Sequence, residues 1–322
     1  MKHIQENNIL SGILNYIYIS YIPNKKANIK QIILKVLFIV CFVTLIVSSV
    51  YLADYFWEAE HQNSVIDYSR ELWHEDFDYN KPLNNENVID EHAVDSTKVQ
   101  YMLEENNDFK GWITIPGTKV DNPIYQTDNN VYYLNHNQLR QKSIYGSLYF
   151  DYRNKLAKTE QDKNLIIYGH EMKNGTMFGS LKKLKQIDFY KQHPTLEFST
   201  LYEKHTYKIY SVFILNASKA DDGGYIYNIY RNNFADSLDF DAWIDEAKER
   251  SIINTSVDVI QGDDILTLVT CSEDFPNARL VVMARKVRIN ESKDVDTSNS
   301  TVNANAKYPK KWYEHRGIKY PF

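Results

Sequence analysis

Cysteine is scarce in this chain of 322 residues, which contains two of them. Cys41 lies inside a long apolar run, and Cys271 lies far along the chain in its polar part. Two cysteines placed in this way exclude a disulfide framework and a multi-cysteine metal site. Cys271 is therefore either a small buried apolar side chain or a reactive thiol, and its surroundings must decide between the two.

Basic residues are too few and too dispersed to follow a phosphate backbone. The chain has 37 Lys and Arg against 42 Asp and Glu, and no basic block lies outside the N-terminal region. The sequence therefore gives no support to nucleic-acid binding. It also has no glycine-rich nucleotide loop, and its acidic pairs at residues 221–222 and 263–264 lie beside glycines, as turns do. We predict no cofactor and no metal site.

A long apolar stretch is the first feature that the chain does have. Residues 36–53 carry no charge, which is enough for a helix to cross a bilayer of roughly 30 Å. Lysines precede the stretch and acidic residues follow it, so the positive-inside rule predicts a single-pass anchor in the cell membrane with a cytoplasmic N-terminus. A cleaved signal peptide fits less well because the stretch is too long. A buried core helix is disfavoured because no polar residue marks a solvent face.

The composition predicts five parts along the chain. These are a cytoplasmic segment (1–31), a transmembrane anchor (32–53), a stalk with N-terminal helices (54–107), the main folded domain (108–290) and a C-terminal tail (291–322). The tail is rich in Ser, Asn, Asp and Thr and is expected to be loose to about residue 306, whereas the aromatic residues that follow are expected to dock on the body.

Short β-branched and aromatic segments separated by turns predict a mainly β body. Helices interrupt this pattern at residues 177–184 and at about residues 237–251, where apolar residues recur with helical spacing. The predicted strands are residues 112–115, 120–121, 123–125, 146–150, 164–168, 205–214, 264–270 and 280–287.

Cys271 ends one of these strands, and its neighbours favour a reactive thiol. The loop 272–278 turns the chain and Arg279 opens the next strand, so a hairpin would place the guanidinium beside the thiol. A nearby positive charge favours the thiolate, which is the nucleophilic form. A buried strand-end cysteine near a surface arginine fits the same spacing.

A cysteine nucleophile needs a general acid and base, and histidine is the usual one near neutral pH. His170 ends the apolar strand 164–169 just as Cys271 ends its own, so the two side chains can meet at one edge of a barrel. A structural histidine at a strand end remains an alternative. The other histidines lie mostly in polar, helical or loop sequence: His3, His61, His74, His92, His136, His193, His205 and His315.

Two motifs make the chain resemble the sortases. They are NLIIYGHEM at residues 164–172 and TLVTC at residues 267–271, with Arg279 eight residues after the cysteine. The chain is most similar to class B, because a substantial helix at residues 234–253 precedes the cysteine strand. The resemblance covers roughly residues 108–287. It implies a closed eight-stranded sortase-type β-barrel with N-terminal helices, and His170, Cys271 and Arg279 as the catalytic residues.

The resemblance also implies a membrane-anchored cysteine transpeptidase of a Gram-positive cell surface. Such an enzyme cleaves a C-terminal sorting motif of secreted proteins after Thr, forms a thioester on the cysteine and transfers the protein to a peptidoglycan amine. His170 would protonate the leaving amine and deprotonate the incoming one, and Arg279 would hold the substrate or the developing oxyanion. The implied partners are proteins with a sorting motif, a peptidoglycan precursor or cross-bridge amine, and the membrane.

Three alternatives stay open on the sequence. A pilin-polymerising sortase would use a lysine side chain as the acceptor, although the polar C-terminal tail is unlike the second membrane helix that many of those enzymes carry. A hydrolytic cysteine peptidase shares the first chemical steps. A membrane-anchored binding module would keep the barrel without catalysis, and we would expect it to lack one of His170, Cys271 and Arg279.

Overall fold

The computed structural model describes Tyr21 and residues 28–74, 94–232 and 234–322. Within it the chain forms two compact units, Met1–His61 and Gln62–Phe322. Most of the predicted cytoplasmic segment and residues 75–93 of the predicted stalk lie outside the described residues.

The first helix, α1 (Ile29–His74), carries the apolar stretch. The stretch is long and apolar enough to cross a membrane by length and composition, and its side chains are exposed. The helix does not end at the predicted anchor boundary at residue 53 but continues to His74. Beyond residue 61 it packs on the body, where Gln138 donates hydrogen bonds to the Val65 carbonyl and the Ser69 hydroxyl at 2.5 Å each.

The strands are β1 (Phe109–Thr114), β2 (Asp121–Tyr125), β3 (Leu148–Phe150), β4 (Asn164–Tyr168), β5 (Thr195–Thr200), β6 (Lys204–Asn216), β7 (Ile253–Asn254), β8 (Ile265–Cys271), β9 (Ala278–Lys286) and β10 (Thr301–Val302). Eight of them close into a barrel, as predicted, and their order is β1-β2-β3-β4-β8-β9-β6-β5. The pairs β2–β3 and β4–β8 are parallel and the others antiparallel. β7 and β10 form a separate two-stranded sheet.

Helices cover the barrel, and the one before the cysteine strand lies where it was predicted. This helix, α4 (Ser237–Arg250), begins at Asp236, whose side chain accepts a hydrogen bond from the Asp239 amide at 2.9 Å. Its apolar stripe packs on β6 and belongs to the same buried cluster as Val269 and Val281, and β8 and β9 are buried on both faces along most of their length. The other helices are α2 (Ser96–Glu105), the 3-10 helix η1 (Gly179–Lys185), α3 (Ile187–Gln192), the 3-10 helix η2 (Ala220–Asp222) and α5 (Lys310–His315).

The C-terminal tail is more ordered than its composition predicts. β10 pairs with β7, and Ser300 and Ala306 are buried. The expectation of a loose segment to residue 306 is therefore wrong, because the polar side chains find partners in distant parts of the body. The predicted docking of the aromatic part is confirmed, since α5 packs on η2 and Tyr313 is buried.

Candidate active site

The predicted hairpin brings Cys271 and Arg279 side by side. β8 and β9 pair from Ile265 opposite Arg285 to Cys271 opposite Arg279, which is the last pair before the loop. Residues directly opposite each other in an antiparallel pair project from the same face. The thiol of Cys271 is exposed, so it is not the small buried side chain of the alternative interpretation.

His170 lies at the same edge of the sheet as Cys271. β4 pairs in parallel with β8 up to Tyr168 opposite Val269, and the Gly169 amide donates to the Val269 carbonyl at 3.2 Å. His170 and Cys271 each lie two residues beyond this pair, so they share one face and one end. Gly169 immediately precedes His170, and a Cβ at this position would come within 2.3 Å of the Leu148 side chain and displace it.

The three residues line one cavity of about 520 Å³. Its floor is the shared face of β4, β8 and β9, and its far wall is the segment between β6 and α4. The lining is largely apolar and aromatic with a few polar groups, which is typical of a ligand site. The lining residues are Asn130, Leu134, Tyr149, Tyr168, Gly169, His170, Leu215, Asn216, Ala217, Ile226, Tyr227, Ile229, Tyr230, Val269, Thr270, Cys271 and Arg279.

The His170 ring is oriented by a backbone carbonyl. Nε2 lies 2.7 Å from the Leu134 carbonyl oxygen. A carbonyl can only accept, so Nε2 carries the proton and Nδ1 is the acceptor of the neutral ring. Within the described residues His170 makes no hydrogen bond to Cys271, and a proton transfer between the two side chains therefore requires the substrate or a small rotation of the ring.

Arg279 keeps most of its hydrogen-bonding capacity. Across the described parts of the chain its guanidinium makes a single hydrogen bond, from Nη1 to the carbonyl of Ala278 at 2.9 Å, and no ion pair. A guanidinium has five N–H donors in a planar fork. Arg279 can therefore donate twice to a carbonyl or an oxyanion that enters the cavity.

The loop after Cys271 is held by one carboxylate. Asp274 accepts from the Ser272 hydroxyl at 2.6 Å and pairs with Lys185 at 2.7 Å. Burial alone would raise the pKa of Asp274, but the hydrogen bonds from Lys185 and Ser272 and the charges of Lys185 and Arg316 outweigh it and hold the pKa below its usual value. The carboxylate is thus ionised at neutral pH.

A tyrosine that the sequence analysis did not single out faces the same site. Tyr149 on β3 is buried, lines the cavity and pairs with Tyr168. Burial raises the pKa of its phenol; charge on Asp151 and Cys271 raises it further, and Arg279 lowers it. The hydroxyl is therefore a donor at all working pH values. The chain has 25 tyrosines, and nothing local in the sequence distinguishes this one.

Sequence comparisons identify the family. The sequence model of the Sortase domain matches residues 113–287. Sortase B of Listeria monocytogenes is 32% identical over 233 residues, which cover 72% of this chain and 87% of that protein.

Structure comparisons agree. A crystal structure of sortase B from B. anthracis in complex with AAEK1 matches with a TM-score of 0.58 and 29% identity, covering 72% of this chain and 99% of that one. A Staphylococcus aureus sortase B-substrate complex matches with a TM-score of 0.54 and 30% identity, covering 62% and 88%. With its closed barrel and with a cysteine, a histidine and an arginine at one cavity, the chain belongs to the sortase family as a class B member, a sortase B-type cysteine transpeptidase.

Proposed function

We propose that Cys271 is the nucleophile that takes up a secreted protein at its sorting motif and passes it to a peptidoglycan amine. The observation that carries this proposal is the placement of Cys271 opposite Arg279 at the end of the β8–β9 ladder, with His170 ending the adjacent strand of the same cavity. Cysteine, histidine and arginine are the residue types that acyl transfer through a thioester needs.

The Cys271 thiol first passes its proton to Nδ1 of His170, and the thiolate of the resulting ion pair then attacks the carbonyl carbon of the motif's threonine. The resulting oxyanion receives hydrogen bonds from Arg279, which lines the cavity and has unused donors. The C–N bond then breaks, and the leaving amine takes a proton from His170. The product of this half-reaction is a thioester between Cys271 and the threonine carbonyl.

In the second step an amine replaces the thiol. The incoming amine attacks the thioester carbonyl and gives a proton to His170, and the C–S bond breaks to restore the Cys271 thiolate. His170 returns over the two steps to the protonation state that it has in the ion pair, so one imidazole serves as acid and then as base. The half-buried position of the ring beside Leu134 supports this role, because the carbonyl keeps Nε2 protonated and leaves Nδ1 to exchange the proton.

The surroundings of the site support a peptide donor and a membrane location. The cavity is open and large enough for several peptide residues, and the S. aureus relative of this fold has been solved as a substrate complex. The apolar part of α1 would anchor the chain as a single-pass protein, with the N-terminus in the cytoplasm and the body on the outer face. That location would bring secreted proteins and peptidoglycan amines to the same enzyme.

Intact-protein mass spectrometry of the full chain in detergent tests the proposal. The chain is mixed with peptides of the Asn-Pro-x-Thr-Asn and Ser/Asn-Pro-x-Thr-Gly types. We expect an adduct of the acyl fragment's mass on the wild type and none on Cys271→Ala. Triglycine should discharge the adduct faster than water does and yield an amide.

Two outcomes would contradict the proposal. An adduct that triglycine does not discharge faster would indicate a hydrolytic peptidase. The absence of any adduct, in a folded protein whose thiol also resists alkylation, would favour the binding module.

A further inference from the structure

The C-terminal tail lies outside the part of the chain that matches the Sortase domain, which ends at residue 287. Its last helix, α5, nevertheless packs beside the loop that follows Cys271. The tail therefore contacts the proposed active site without being part of the domain that the family shares.

Arg316, just after α5, reaches the loop directly. Its Nη2 lies 3.2 Å from Asp274 Oδ1, and its Nη1 donates to the Asp274 backbone carbonyl at 3.3 Å. Lys185 and Ser272 occupy the other carboxylate oxygen. Asp274 thus joins three parts of the fold: the loop itself, η1 and the tail.

The tail orients Arg316 before it meets Asp274. The guanidinium lies over the ring of Trp312 at 4.0 Å from the centroid, and Nη1 also donates to the Trp312 carbonyl at 3.4 Å. Trp312 is itself stacked on Tyr308. A stacked guanidinium loses little additional freedom when it binds, so the contact is preorganised.

The same helix contacts the second loop that borders the cavity. α5 packs on η2, and the Lys311 amide donates to Asp222 Oδ1 at 3.3 Å. η2 belongs to the segment between β6 and α4, of which Ile226 and Tyr230 line the cavity. One short stretch of tail therefore holds both loops at the open end of the site.

We propose that the end of the tail, residues 308–322, is a clamp that positions the two loops of the active site, with Arg316 as a positioning residue that acts through Asp274. Cys271 and Arg279 form the last rung of their ladder, and the loop 272–277 is the only covalent link that closes it. Fixing Asp274 keeps the thiol and the guanidinium in register. The inference rests on the proposed role of Cys271 as the nucleophile.

Three variants of the full chain in detergent test the clamp: Arg316→Ala, Arg316→Lys and Lys310→Ala. The last is a matched control, because it removes a cation from the same helix, and among the described residues the one ion pair of Lys310 is with Glu314 at 4.0 Å. The measurements are kcat and KM for the peptide that acylates the wild type, the pH profile of Cys271 alkylation by iodoacetamide, and the melting temperature.

We expect Arg316→Ala to lower kcat by about tenfold, because a loop displaced by a fraction of an ångström misplaces the thiol. Its alkylation profile should shift, since the guanidinium of Arg279 no longer stays beside the sulfur. Arg316→Lys should recover part of the rate, because it keeps the ion pair but loses the stacking. Lys310→Ala should behave as the wild type, and the melting temperatures of all variants should lie close together.

The clamp is rejected if Arg316→Ala, folded like the wild type, has the kcat and the alkylation profile of Lys310→Ala. It is also rejected if the loss of rate only follows a lower melting temperature, since that is a purely structural role. A wild type that forms no acyl adduct would instead reject the proposed function, so the two failures are distinguishable.

Discussion

β9 carries an arginine at each end, and the two differ in what surrounds them. Arg279 at the cavity uses one donor on a backbone carbonyl within the part of the chain that the structure describes. Arg285 at the other end is 1% exposed and donates to Asp258 and Glu291, with Asp263 within 3.9 Å. The guanidinium donors of Arg285 are therefore occupied by hydrogen bonds and ion pairs, whereas most of the donors of Arg279 remain unused.

The difference separates a structural arginine from one that can act on a substrate. A buried charge with satisfied donors stabilises a fold only as long as every partner is present. A guanidinium with unused donors at a cavity adds little to stability but remains available for a carbonyl or an oxyanion. Changes at the Arg285 end should therefore alter stability, and changes at the Arg279 end should alter rate.

Arg285→Met should have the largest effect. It leaves the carboxylate of Glu291 without its main cation and takes one of two arginine partners from Asp258, and we expect the free energy of unfolding to fall by about 3–5 kcal/mol. Urea denaturation of the full chain in detergent, followed by tryptophan fluorescence, measures the loss. Arg279→Met is the matched control and should change stability by less than about 1 kcal/mol. Equal losses of unfolding free energy in Arg285→Met and Arg279→Met would contradict the distinction between a structural arginine and one that is available to the substrate.

Arg279→Met should instead lower the rate of acylation of Cys271 by about 100-fold or more, because an oxyanion loses its donor. The acylation rate of Arg279→Lys should lie between those of the wild type and Arg279→Met, since lysine keeps the charge but lacks the planar fork of donors. Rapid-quench measurement of the first turnover with the sorting peptide gives the rate. If the folded fraction of Arg285→Met were slowed to the same extent, the rate would depend on the strand as a whole rather than on the guanidinium at the cavity.

Tyr149→Phe should have a smaller effect at the catalytic end. The change removes a buried hydroxyl that lines the cavity, and we expect kcat/KM for the peptide to fall by about fivefold, as for one lost hydrogen bond. Tyr207→Phe is the control, because Tyr207 is equally buried but outside the cavity. The same kcat/KM in both variants would show that the Tyr149 hydroxyl does not touch the substrate.

The smallest expected effect is on how stability depends on acid pH, through Glu291 beside Arg285. The hydrogen bond from Arg285 is the main cause that lowers the pKa of Glu291 well below its ordinary value of 4.5. A lowered pKa stabilises the fold above the unfolded value and loses that contribution as pH falls through the folded value. The melting temperature of the wild type should therefore fall as the pH is lowered from 5 to 3. In Glu291→Gln the fall should be smaller than in the wild type by about 2–4 °C. Parallel curves would mean that Glu291 does not link the fold to pH.

Most strand positions, and the location of His170, Cys271 and Arg279 at strand ends, follow from local patterns, whereas their assignment as catalytic residues came from the resemblance to the sortases. The strands around His170 and Cys271 are runs of apolar residues, and the eight residues from Cys271 to Arg279 are a hairpin length, so the sequence predicts that these side chains meet at one edge. The helix stripe before the cysteine strand is equally local. Patterns of this kind involve residues that are close together in the sequence, so they can be recognised without the tertiary structure.

The contacts of the tail and of Arg285 could not be predicted in this way. Arg285 meets Asp258, and Arg316 meets Asp274, across 27 and 42 residues of sequence. Whether a charged residue ends in solvent or in a buried network depends on which distant segment packs on it, and composition alone predicted a loose tail. Local sequence by itself determines where the strands of this protein end and which residue types lie at those ends. The closure of the barrel, the commitment of each arginine and the docking of the tail depend on long-range packing, because burial is a property of the assembled fold.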